Sequence, residues 1–378
     1  MFGLIPSLDG NVDFQQYFEY FKYASVHPPL KFLLMHIFFS LFGYGSYTWI
    51  GVVFFVSGII AMYKIGRYLW SKKAGIIAAF LLATNGLFLS NALFAQTDFM
   101  ITVFLLWGFY FYVRDRFWIY ALFLSLAVLT KEPALLFAVS IFLCNLRRLR
   151  VQFLIPFFVF GLWSVGLHYF GFHLWNQWNF STVASRGSLY TIGYNLMTLG
   201  IFNKYAYENM LHLFLLNWTW VFWGFAVVGI SRSKRLFPLA LFGGLYILLI
   251  LTFPTWTIPR YVLPVVPVMI LFGVNYLKNK TWVLGLVAGI ALISLFSSVD
   301  PISGTIFHTR ELLGEKFFVN DIDGNDGITY NFQYFLYTYK RDKILRAGNP
   351  IECYPVLLGS TDDYKTRRIL NFPKPICK

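Results

Sequence analysis

The side chains able to do chemistry in this chain are few, and they stand at the ends of apolar runs. Asp98 closes the segment Phe94-Ala95-Gln96-Thr97-Asp98. Lys131 and Glu132 sit between two short apolar runs in Leu129-Thr130-Lys131-Glu132-Pro133. Arg260 lies in Pro259-Arg260-Tyr261-Val262-Leu263-Pro264. His27 and Lys31 flank Pro28-Pro29-Leu30, and Asp9, Asp13 and Glu19 precede them. A charged side chain at the centre of a membrane helix costs about 2.5–3.5 kcal/mol on insertion scales, so it needs a partner, a watery cavity or a function. Carboxylates can take a proton, and Lys and Arg can hold an anion.

Each residue also has a structural reading. Lys131 and Glu132 could form an ion pair at a hairpin tip. Arg260 could be a helix-end anchor whose stem lies along apolar surface. Asp98 could be the N-cap of a helix beginning at Phe99. His27 could be a plain loop residue. What favours function is their joint placement on one side, which depends on the elements that carry them.

Those elements are membrane helices by composition. Of 378 residues, 58% are apolar, 21% aromatic and only 13% charged. Soluble domains carry about a quarter charged residues, so polar side chains are too scarce here to coat a water-facing surface. Apolar runs lie near 47–64, 75–94, 99–113, 117–131, 133–146, 151–171, 211–230, 236–253, 260–277 and 281–298. A span needs roughly 20 such residues, so the expectation is an all-α polytopic bundle of about ten helices over 47–298, some short or paired as hairpins.

Basic clusters orient the bundle. They are Lys64, Arg67, Lys72 and Lys73; Arg114 and Arg116; Arg147, Arg148 and Arg150; Arg232, Lys234 and Arg235; and Lys278 and Lys280. Each follows every second run, so one alternation places all of them in the cytoplasm. The net charge of +14 is therefore read as a topogenic signal, not as a nucleic-acid surface. The loops carrying Asp98, Lys131 and Arg260 then face outside, as do residues 1–46 and the tail. The stretch 28–43 is short and begins with Pro-Pro, and it is expected to lie along the outer leaflet as an interfacial helix. The tail, 299–378, is polar with strand-like segments, and a small extracytoplasmic α/β appendage is expected there. Cys144 lies in an apolar run. Cys353 and Cys377 lie in the tail, where pairing and free thiols both stay open.

Four segments in order then resemble one family. They are His27-Pro28-Pro29-Leu30 with the apolar stretch to Gly43; Tyr63-Lys64-Ile65-Gly66-Arg67-Tyr68-Leu69-Trp70 followed by a small-residue helix and Asp98; Leu129-Thr130-Lys131; and Arg260-Tyr261-Val262-Leu263-Pro264. Their order and spacing over 13–277 resemble the GT-C membrane glycosyltransferases, the group that includes protein O-mannosyltransferases and bacterial aminoarabinose transferases. The resemblance implies transfer of a sugar from a polyprenyl phosphate to an extracytoplasmic lipid, glycan or protein acceptor, with inversion. It implies Asp13 (or Asp9) and Asp98 as the catalytic carboxylates, and Lys131 and Arg260 as phosphate contacts, with Lys31 a weaker third. His27, Glu132 and Tyr261 are the further substrate contacts it suggests. It assigns no certain cofactor, and a divalent metal is left open. A prokaryotic plasma membrane fits the short loops.

The chain departs from the family in two places. Glu132 stands where the aminoarabinose transferases commonly have glycine. The family's first acidic residue follows a transmembrane helix, so a helix upstream of Met1 is expected. Two other classes remain: a transporter or flippase for lipid-linked sugar, and an inactive glycosyltransferase relative. The segment 321–327 has the acidic content of a calcium loop, but Asp326 stands where that loop needs glycine, so it is read as a polar turn. Asn179-Phe180-Ser181 fits a glycosylation sequon, a pattern common by chance.

Overall fold

The computed structural model describes residues 28, 30–42, 46–93, 97–169, 236–251 and 259–277, helical positions 285, 287 and 289, and six two-residue strands in the tail. Asp13, His27 and the basic residues 232–235 and 278–280 lie outside the described residues, as does the sequon.

Ten helices carry the described bundle: α1 (Leu30–Phe42), α2 (Ser46–Leu69), α3 (Lys72–Ala83), α4 (Gly86–Leu93), α5 (Thr97–Val113), α6 (Phe117–Val128), α7 (Leu135–Cys144), α8 (Ile155–Tyr169), α9 (Phe237–Leu251) and α10 (Val266–Leu277). Local chemistry sets several boundaries. Ser71 caps α3, its Oγ accepting from the Ala74 amide at 3.2 Å. The apolar run expected over 75–94 is broken after Ala83. There Asn85 Oδ1 accepts from the Phe88 amide at 2.9 Å and starts α4 afresh, because a short side-chain acceptor competes with helix continuation. Between α5 and α6 the turn is made by Asp115 at φ 57, a left-handed conformation that Asp tolerates better than most residues.

Helix α2 is long and apolar enough over Trp49–Leu69 to cross a membrane; α5 to α10 include shorter apolar helices. The outward faces explain where these helices reside. On α8, Phe158, Leu162 and Val165 are 66%, 56% and 67% exposed. Trp49, Val53, Val56 and Ile60 do the same on α2, and Trp118 and Leu122 on α6. Helices in water carry charge on that face. Rows of large apolar side chains on separate helices are a surface for lipid. On α1 the row is Leu33, Ile37 and Leu41, while Leu30 and Lys31 are buried. Its 13 residues reach about 20 Å, short of the roughly 30 Å hydrocarbon core.

The inner faces interlock through aromatic rings and small residues. Trp107 and Phe111 of α5 stack on Phe123 of α6, at 5.9 and 5.5 Å between centroids. Trp107 Nε1 donates to Ser57 Oγ of α2 at 2.8 Å, so the half-buried indole keeps a partner. Helices α2 and α3 touch backbone to backbone. A Cβ on Gly75 would lie 2.5 Å from the Tyr63 carbonyl oxygen, and one on Gly66 2.8 Å from the Gly75 Cα.

The basic clusters among the described residues gather at one end of the bundle. Arg114 lies 5.2 Å over the Tyr68 ring, Lys64 5.3 Å over Trp107, and Arg150 4.4 Å over Phe117. Helix α5 runs from Asp98 to that end, and α6 returns from it to Lys131. The 17 residues of α5 separate the two ends by about 25 Å.

In the tail the described strands pair as Ser298–Val299 with Ile306–Phe307, Val319–Asn320 with Val356–Leu357, and Cys353–Tyr354 with Ile376–Cys377, where Cys353 stands opposite Cys377. These two-residue ladders do not support the expected α/β appendage, since isolated strand pairs without a packed face are marginal.

Candidate functional site

The site is built where three elements meet at the end opposite the basic clusters. The first is the start of α5. Its helix begins at Thr97, so Asp98 is not the N-cap expected from the sequence but a first-turn residue. A carboxylate there lies at the positive end of the helix dipole. The next turn is tied back by Thr102 Oγ1, which donates to the Asp98 carbonyl at 2.6 Å.

The second element is the turn after α6. Leu129 and Thr130 end the helix, Thr130 Oγ1 donating to the Leu126 carbonyl at 2.8 Å. Lys131 follows in extended conformation, and Glu132 opens a short 3-10 turn, Glu132–Ala134, with Pro133 in its first positions. Proline suits that place because its fixed φ matches the turn and its missing donor is not needed. The extended backbone sends Lys131 across to α5. Its Nζ donates to both Asp98 carboxylate oxygens, at 2.7 and 2.9 Å. The hairpin-tip pair of Lys131 with Glu132 is thus replaced by an interhelical pair with Asp98. Both partners are buried, Asp98 at 0% exposure and Lys131 at 5%.

The third element is the 3-10 segment Pro259–Val265 ahead of α10. The sequence suggested a regular helix opening at Arg260. Pro264 lies inside the segment, and the residue before a proline is disfavoured in α geometry. Tyr261 lays its ring 4.4 Å from Lys131 Nζ, so the ammonium has a carboxylate and an aromatic face as neighbours. The Arg260 side chain lies outside the described residues.

The start of α1 is tied to the same turn. The Leu30 amide donates to the Leu129 carbonyl at 3.0 Å. This bond joins the Pro28-Pro29-Leu30-Lys31 segment to the Lys131 loop about a hundred residues later. Among the described residues, the charged side chains that are buried are Lys31, Asp98 and Lys131, two cations and one anion. Glu132 is half-buried beside them. Sequence reasoning did not single out Tyr246 of α9, which is buried with its ring 5.4 Å from that of Phe242. A tyrosine within an apolar run such as α9 gives no sign of which way its hydroxyl end points. One turn below Asp98 the packing leaves a small apolar gap, lined by Thr102, Leu106, Phe137, Phe242, Pro264 and Leu271 among others.

Comparison with known proteins decides the family. Residues 26–258, more than half of the chain, match the sequence model of glycosyltransferase family 87. The chain belongs to glycosyltransferase family 87. The match covers the α1 segment, Asp98 and Lys131, and ends just before the Arg260 segment. An uncharacterized protein of Aquifex aeolicus (strain VF5) is similar to this chain, 25% identical over 331 residues and covering 77% of this chain. The chain spans 62% of that relative's length. Among solved structures, ArnT from Cupriavidus metallidurans is similar in its apo state at 14% identity, covering 84% of this chain and 59% of that one, with a TM-score of 0.47. The same protein bound to undecaprenyl phosphate is similar at 16% identity, covering 86% and 63%, also with a TM-score of 0.47.

Proposed function

We propose that this family 87 chain forms the catalytic part of a membrane glycosyltransferase that uses a polyprenyl-phosphate sugar as donor. The observation that carries the reading is the buried Lys131–Asp98 pair under the Tyr261 ring. A cation and a carboxylate held side by side are the two groups an inverting transfer from a phosphate requires. The carboxylate takes the proton of the acceptor hydroxyl. The acceptor oxygen then bonds to the anomeric carbon, the carbon–oxygen bond to phosphate breaks, and the phosphate leaves with the electron pair. Cations stabilise that leaving charge. One base suffices, because the phosphate departs without a proton, unlike the leaving group in glycoside hydrolysis.

In this reading Asp98 is a catalytic carboxylate and Asp13 the other. Lys131, Arg260 and Lys31 hold phosphate, and His27, Glu132 and Tyr261 contact substrate. The basic clusters support an extracytoplasmic site, because they occupy the opposite end. The acceptor is a lipid, glycan or protein outside the cytoplasm.

The test is transfer by the purified full chain in proteoliposomes, supplied with polyprenyl-phosphate sugars labelled in the sugar and with total membrane extract as acceptor. Lys131→Met should lower the rate by at least about a hundredfold, the scale for removing one transition-state contact. A folded Lys131→Met protein with full transfer would remove Lys131 from the reaction. A wild-type chain that moves labelled donor across the bilayer without transferring the sugar would point to a transporter.

A further inference from the structure

We propose that Lys131 is handed from Asp98 to the donor phosphate as the reaction proceeds, so that one ammonium serves both anions in turn. The inference rests on the reading just given and concerns the order of events in the same site.

Three observations carry it. Lys131 Nζ bonds both oxygens of Asp98 in this structure, so the group assigned to the phosphate already holds an anion. The pair is buried, so water cannot replace either partner when the other leaves. The Tyr261 ring lies 4.4 Å from the ammonium, and an aromatic face attracts a cation whichever anion is beside it. Tyr261 thus acts as a pivot, and the ammonium stays put while its anion changes.

The charges balance through the step. A polyprenyl-phosphate sugar is a phosphodiester with one negative charge. When the acceptor proton moves to Asp98, the carboxylate becomes neutral and its hold on Lys131 falls. In the same step the bond to the anomeric carbon breaks, the electron pair goes to the phosphate oxygen, and the phosphate gains a second negative charge. The site loses one anion beside Lys131 and gains one, so no buried charge is left uncompensated. Return of Lys131 to Asp98 then requires departure of the phosphate and loss of the proton, which resets the site.

The handover makes a prediction that simple phosphate binding does not. Asp98→Asn imitates the protonated carboxylate and should free Lys131 for phosphate. The probe is polyprenyl phosphate, titrated onto the purified full chain in nanodiscs. Asp98→Asn should bind it roughly tenfold tighter than wild type, within the usual range of coupling between two sites, while transfer is lost. Lys131→Met should bind it more weakly, and the double variant should bind like Lys131→Met alone. If Lys131→Met weakens binding but Asp98→Asn does not strengthen it, the handover is wrong and the phosphate role of Lys131 stands. If neither variant changes binding, that role fails and the handover with it. Should Asp98→Asn not fold, the wild type decides. Chains labelled with carboxyl-13C aspartate should show a shifted carboxylate band in infrared difference spectra on saturation with polyprenyl phosphate. An unchanged band at saturation would overturn the handover.

Discussion

The Lys131 ammonium grips both carboxylate oxygens of Asp98, at 2.7 and 2.9 Å, from a turn 33 residues further along the chain. The pair links the start of α5 to the end of α6 in the bundle interior. In a buried pair the attraction is set against the loss of hydration of both ions, so the pair adds little to stability as a whole. Losing one partner is costly, because the other is left charged and buried.

This asymmetry is measurable. Lys131→Met and Asp98→Asn should each lower stability, by up to about 3–5 kcal/mol where the remaining charge stays buried. The double variant should lose less than the sum of the two. Reversible unfolding in mixed micelles, run as a double-mutant cycle, checks it. Additive losses would mean that the two groups do not interact in the membrane.

Tyr261 contributes its ring to Lys131. Tyr261→Phe keeps a face 4.4 Å from the ammonium and should bind polyprenyl phosphate nearly as wild type does. Tyr261→Leu removes the face and should weaken binding by about tenfold, from a cation–π contact worth about 1–2 kcal/mol. Equal affinities for the two variants would show that the ring is only a space-filler.

Close packing of α2 on α3 separates the glycines. Gly75→Val places its side chain 2.5 Å from the Tyr63 carbonyl oxygen and 2.9 Å from the Arg67 amide, both backbone atoms that cannot swing away. This variant should fail to yield monodisperse protein. Gly161→Ala on α8 meets nothing within 4 Å and should raise stability by up to about 1 kcal/mol, the helix-propensity difference. Size-exclusion profiles and thermal unfolding in detergent distinguish the two.

The basic clusters make a prediction about sidedness. Single cysteines at the exposed positions Lys73, Arg116 and Arg148, in a chain whose own cysteines are replaced by serine, should react with an impermeant thiol reagent only after the cell membrane is opened. A cysteine at Glu132 should react in intact cells. The reverse pattern would invert the bundle and put the Lys131–Asp98 end in the cytoplasm.

Much of this protein could be read from the order of its residues. Scarcity of charge demanded lipid around the helices, and the outward rows on α2, α6 and α8 meet that demand side chain by side chain. Regular alternation of basic clusters with apolar runs implied that Lys64, Arg114 and Arg150 share one end, and their ring contacts place them there. Asp98 and Lys131 stood out because charge at a helix end needs a reason. Their pairing with one another was not legible, since each had a nearer candidate in sequence: the amides of α5 for Asp98 and Glu132 for Lys131. Only the tertiary structure decided it. Helix-end groups meet according to how helices pack, and sequence spacing carries no record of a contact between α5 and the turn after α6. The same holds for the Leu30–Leu129 hydrogen bond, made by backbone atoms that every residue type but proline possesses, and for Tyr246, whose burial depends on the rotation of α9. Composition and periodicity determine which residues face lipid and which end is basic, because those are sums over many side chains. The identity of each partner in the site depends on single contacts between distant segments, and these exist only once the helices are packed.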